Sequence, residues 1–60
     1  MPAAIYSIYL YSSVENTLKF SGPLDSEDFP LPFLTAVQAA GMAVGDRIAL
    51  GAWHYAERIA

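Results

Sequence analysis

Cysteine is absent from this chain, so neither a disulfide nor a thiolate metal site can staple it. Histidine occurs once, as His54, which leaves a zinc site to be built mostly from carboxylates in a pattern the sequence does not contain. Basic residues are equally scarce. Lys19, Arg47 and Arg58 face six acidic residues, for a formal charge of −3. Nucleic-acid binding draws most of its affinity from Lys and Arg neutralising phosphates, so direct contact with DNA or RNA is not expected. Neither a GxGxxG nor a GxxxxGK[ST] loop is present.

Long apolar runs are missing too. A transmembrane helix needs about 20 mostly apolar residues. The longest uncharged stretch, Phe29 to Gly45, is shorter and is interrupted by Pro30, Pro32, Gln38 and Gly41. The opening MPAAIYSIYLYSSV has no charge at all, yet it lacks the basic leader and continuous apolar core of a secretory signal. No membrane association is expected, and a cytoplasmic location is.

What is present is apolar surface in excess of what so short a chain hides. Hydrophobic residues make up 55% of 60 residues, enough for one small domain spanning 1–60. A domain of this length buries only about 60% of the surface its unfolded chain exposes, and it generally needs a metal, a disulfide or an assembly partner. Only assembly is open here. Part of the excess is alanine, which needs little room; the rest points to a surface for a partner or a second copy.

Ala3 to Tyr11 is rich in aromatic and β-branched types that suit a strand. Alternation puts Tyr6, Ile8 and Leu10 on one face, the natural core side. Ile5, Ser7, Tyr9 and Tyr11 take the other. A turn at SSVEN and the alternating TLKFSG then predict an antiparallel hairpin, with Val14, Leu18 and Phe20 on one side. SGPLDSEDFPLP reads as a loop because its prolines remove donors and restrict their predecessors. Phe33 to Ala40 reads as a short helix, with Pro32 in its first turn and Gly41 as its left-handed stop. Residues 47–57 read as a final strand, although a helical stripe of Ile48, Ala52, Tyr55 and Ile59 competes beyond Gly51. The expected architecture is α+β in the order ββαβ: a three-stranded, mainly antiparallel sheet with one short helix on a face.

AAGMAVGDRIALG resembles the Ala-Gly-hydrophobic-x-x-Gly-Asp-x-Ile stretch that enters a strand in PDZ domains. The resemblance implies a turn at Gly45-Asp46 followed by a strand. It does not extend to a family, since LKFSG is a poor match to the carboxylate-binding loop of those domains.

Catalytic patterns are weak. His54 lies in WHY, where a packed side chain is the commoner role than a base. Paired carboxylates occur only in the proline-bounded loop, where burial would not readily raise a pKa. No cofactor is expected. Binding features are stronger: Tyr9, Tyr11, Trp53 and Tyr55 are types that dominate interfaces, and Arg47 or Arg58 would add to them. They share an outer face if the first and last strands are neighbours; the alternative is that Trp53 is the central core aromatic. Asp25, Glu27 and Asp28 form the chain's one charge cluster, read either as capping the coming helix, which is the favoured reading, or as an acidic knob for a basic partner.

The resulting expectation is a non-enzymatic module that covers a surface on a larger protein, as small inhibitors encoded by phages and mobile elements do. Its alternative is a structural module forming a homodimer or higher oligomer through an aromatic strand face or edge. Leu10→Asp is expected to unfold the domain, and Tyr9→Ala to weaken association without unfolding it.

Overall fold

The computed structural model describes residues 3–11 and 15–60. The turn expected at Ser12, Ser13 and Val14 lies outside them. The elements are β1 (Tyr6–Tyr11), β2 (Asn16–Gly22), α1 (Leu31–Ala40), β3 (Arg47–Ala49) and β4 (His54–Arg58). The fold is α+β, with one helix on an antiparallel sheet, as the sequence indicated. The sheet, however, has four strands in the order β2-β1-β4-β3, and the chain order is ββαββ.

The fourth strand comes from the segment expected as one strand over residues 47–57. It folds back on itself instead. Gly51 adopts φ 84°, a conformation open to a residue without a Cβ, and Leu50 N–H donates to His54 O at 2.8 Å across the turn. Ile48 thereby becomes the cross-strand partner of Ala56. The competing helical stripe is not formed.

The hairpin of β1 and β2 is present, but its alternation breaks. Ile8 pairs with Phe20 and Tyr9 pairs with Leu18, so Lys19 is an extra residue that forms a β-bulge. Because facing residues share a side, the bulge keeps Phe20 with Ile8 on the core face and moves Leu18 to the outer face with Tyr9. The expectation that Leu18 and Phe20 share a side is thus overturned by one unpaired residue.

β1 lies between β2 and β4, not at an edge. The uncharged strand is therefore closed to strand addition. The free edges belong to β2, which carries the bulge and Lys19, and to β3, which is three residues long. Bulges, lysines and short edges all discourage pairing with other chains. Deleting Lys19 would restore a continuous register with both neighbouring pairs kept. The expected variant is folded yet self-associates more readily, a difference that light scattering at matched concentration detects.

α1 begins two residues before the expected Phe33, with Pro32 in its first turn, and ends at Gly41 in the left-handed conformation (φ 57°, ψ 46°). Pro30 occupies the N-cap position, and no side chain caps the helix. Asp25, Glu27 and Asp28 are thus not its caps, contrary to the favoured reading. They sit on exposed turns organised by Ser26, whose Oγ accepts from Asp28 N–H at 3.3 Å. The Gly45-Asp46 turn forms as expected: Gly45 has φ 93°, and Asp46 Oδ2 accepts from Ala43 N–H at 3.0 Å.

The core lies between the sheet and α1. Tyr6, Ile8 and Ala56 from the sheet meet Val37 of the helix, and Phe29, Met42 and Leu50 fill in from loops. Phe20 closes one side by an edge-to-face contact with Phe29, centroids 5.1 Å apart. At the other side Phe33 packs on His54 at 5.0 Å. Arg58 ties the loop after the helix to β4, donating from Nη1 to Met42 O at 2.8 Å. Among the described residues, no helix is long and apolar enough to cross a membrane.

Candidate protein-binding face

An antiparallel sheet with one face on a core normally turns polar residues outward. This one does not. The register places Tyr9, Tyr11, Leu18 and Tyr55 on the side away from α1, and Trp53 follows the same alternation just ahead of β4. Trp53 is 66% exposed, and Tyr11 and Leu18 are each 54% exposed. Trp53 is therefore not the core aromatic; Ile8 and Val37 hold the centre of the fold.

The face is built around a rigid middle. Tyr9 and Tyr55, directly opposed on β1 and β4, stack with centroids 5.0 Å apart and planes 17° from parallel. Such a pair contributes about 0.5–1.5 kcal/mol beyond its buried area. The Arg47 guanidinium stands 5.8 Å from the Tyr55 centroid. It also pairs through Nε with Glu57 Oε1 at 3.3 Å, across the β3–β4 ladder. That ion pair is partly exposed, so its value is orientation more than stability. Toward the other end, Ser7 is buried, and its Oγ lies 3.2 Å from Ser21 Oγ.

Tyr11 and Trp53 extend this platform. Tyr11 N–H donates to Trp53 O at 2.6 Å, which continues the β1–β4 pairing one step past the strand end. Beside them a shallow groove of about 320 Å³ crosses the sheet, lined by Tyr11, Asn16, Arg47, Ile48, Ala49 and Tyr55. Its residues come from all four strands, so only the folded sheet assembles it.

The structure thus brings Tyr9, Tyr11, Trp53 and Tyr55 onto one face. It does not bring Asp25, Glu27 and Asp28 there. Their loop returns to the core side of the sheet, where Leu24 and Phe29 pack with Tyr6 and Ile8, and Asp25 borders a nook formed with Ala4, Tyr6 and Pro23. Leu18 and Asn16 are contributors that simple alternation does not select. A bulge leaves no mark in period-two patterning, and an exposed asparagine carries no signal until its neighbours are known.

No protein-family model matches this chain, nor does any curated protein or solved structure, so the functional reading rests on this geometry.

Proposed function

We propose that this chain is a non-enzymatic protein-binding module that acts by covering a surface on a larger protein, with the outer sheet face as its contact. The observation that carries this reading is the reversal of normal patterning: large apolar side chains occupy the water-facing side of an antiparallel sheet. Tyr and Trp are the types that concentrate binding energy, and a stacked Tyr9–Tyr55 pair holds its shape before a partner arrives, so little ordering is left to oppose binding. The protected edges favour contact through the face over strand addition. Occlusion of the partner's surface is the effect such a module would have.

Self-assembly through the same face is the second reading, favoured by the exposure of Trp53 and Tyr11. Its difficulty is size. Four strands spaced ~4.8 Å apart and about 20 Å long present roughly 400 Å² in projection, from the spacing and rise of strands. Stable interfaces bury about 800 Å² of accessible surface per partner. A flat copy stacked on this face contributes little beyond it, whereas a larger protein can also wrap the rims. Molar mass by light scattering over a wide dilution range is the test. A monomer throughout is expected; a dimer that buries Trp53, read from its emission, would overturn the hetero-partner reading in favour of self-assembly.

The acidic loop takes no part in this contact. Replacing Asp25, Glu27 and Asp28 together with Asn, Gln and Asn is expected to leave partner affinity within about threefold, under 1 kcal/mol. A larger loss, measured by calorimetry against a partner, would return the loop to the binding surface.

A further inference from the structure

We propose that the groove across the outer face takes a proline-rich segment in the polyproline II conformation that carries an acidic residue. This rests on the reading of the face as a protein-binding surface and names the chemistry it would hold.

The first argument is hydrogen bonding. Within a sheet the backbone groups of the inner strands β1 and β4 are spent on the ladder, so the face offers a ligand only side-chain partners. Those partners are rich in donors. Trp53 Nε1–H and the Arg47 guanidinium donate and do not accept, while the Tyr11 hydroxyl and Asn16 amide can do both. A segment whose own N–H groups needed acceptors would have to bury them unpaired. Proline has no N–H, and a polyproline II backbone makes no internal hydrogen bonds, so it brings free carbonyls to a donor-rich surface. Donors and acceptors match.

Shape and rigidity agree. The floor is aromatic, and aromatic-lined grooves accept polyproline II segments because these arrive already extended and lose little entropy. A volume of about 320 Å³ suits a few residues of such a segment. Charge then selects within the class. Arg47, with 65% of its side chain exposed, is the cation at the groove. Arg58 is engaged elsewhere, on Met42 O and Ala60 O. An acidic residue in the segment would share the guanidinium with Glu57.

Trp53 is the chain's only tryptophan and an exposed neighbour of the groove, so its emission reports occupancy. The probe is a short synthetic peptide of prolines with one central glutamate, titrated into the full chain. Its comparators are a glycine–serine peptide carrying the same glutamate and a proline peptide with lysine at that position. A saturable emission change is expected with the first peptide, and at least about tenfold weaker binding of both comparators. Arg47→Gln is expected to remove the difference between glutamate and lysine peptides. No saturable change with the proline–glutamate peptide, or an equal response to the glycine–serine peptide, would overturn the proposal. If that happens while the paired replacement of Tyr11 and Trp53 by serine still abolishes binding to a protein partner, only the ligand chemistry fails. If that replacement has no effect either, the face itself is not the binding surface.

Discussion

Replacing Ile8 by alanine is expected to leave most of the chain unfolded at 25 °C. Ile8 has no exposed surface and sits on the inner strand β1, between Phe20 of β2 and Ala56 of β4. The loss falls in the narrowest part of the core, where the small Ala56 gives its neighbours little to collapse with. Truncating a buried isoleucine costs about 2–5 kcal/mol, the transfer term plus the cavity. At about 0.05–0.15 kcal/mol per residue, 60 residues supply only about 3–9 kcal/mol in total. The two ranges overlap. Far-ultraviolet circular dichroism through a urea titration measures the effect, with Ile8→Val, costing about 0.5–1.5 kcal/mol, as the folded control. A cooperative transition in the alanine variant close to that of the parent would show that the sheet and helix are held together elsewhere. Leu10→Asp, expected from the sequence to unfold the domain, should be milder. Leu10 is only half-buried and pairs with Thr17 and His54 near the end of the strands, where a carboxylate can reach water.

The second large effect is on binding. Replacing Tyr11 and Trp53 together by serine is expected to lower affinity for a protein partner about a hundredfold or more while leaving the fold intact. Aromatic residues at the centre of an interface cost at least about 2 kcal/mol each when truncated, and every 1.4 kcal/mol is a factor of ten. Both side chains are more than half exposed, so their removal from the free protein takes away little packing; exposed substitutions usually stay within about 0.5 kcal/mol. Calorimetric titration gives the affinity, and a thermal melt of the same variant gives the fold. An unchanged affinity would move the contact off this face. Tyr9→Ala is the poorer probe. Tyr9 is half-buried and stacked on Tyr55, so its loss would disturb stability and binding together.

Local patterning determined a good part of this protein. The side of β1 that faces the core follows from alternation: Tyr6 and Ile8 are buried where period two puts them. The helix and its stop follow from Pro32, the alanines and Gly41, and the turn before β3 from Gly45-Asp46. The gathering of Tyr9, Tyr11, Trp53 and Tyr55 was legible as a consequence of adjacency between the first and last strands. Adjacency itself was not.

Tertiary structure decided the rest, because these features depend on which segments meet and not on local preference. Lys19 could bulge only once β1 was paired against β2, and that choice alone sent Leu18 outward. Residues 47–57 folded into two strands because Ile48 could then pair with Ala56 and Leu50 could enter the core, gains that a single straight strand cannot collect. Phe29 and Met42 became core residues although they lie in loops, since only closure of α1 over the sheet brings them there. Trp53 was left in water for the complementary reason: with Ile8 and Val37 filling the centre, the space between one short helix and a four-stranded sheet had no room for an indole.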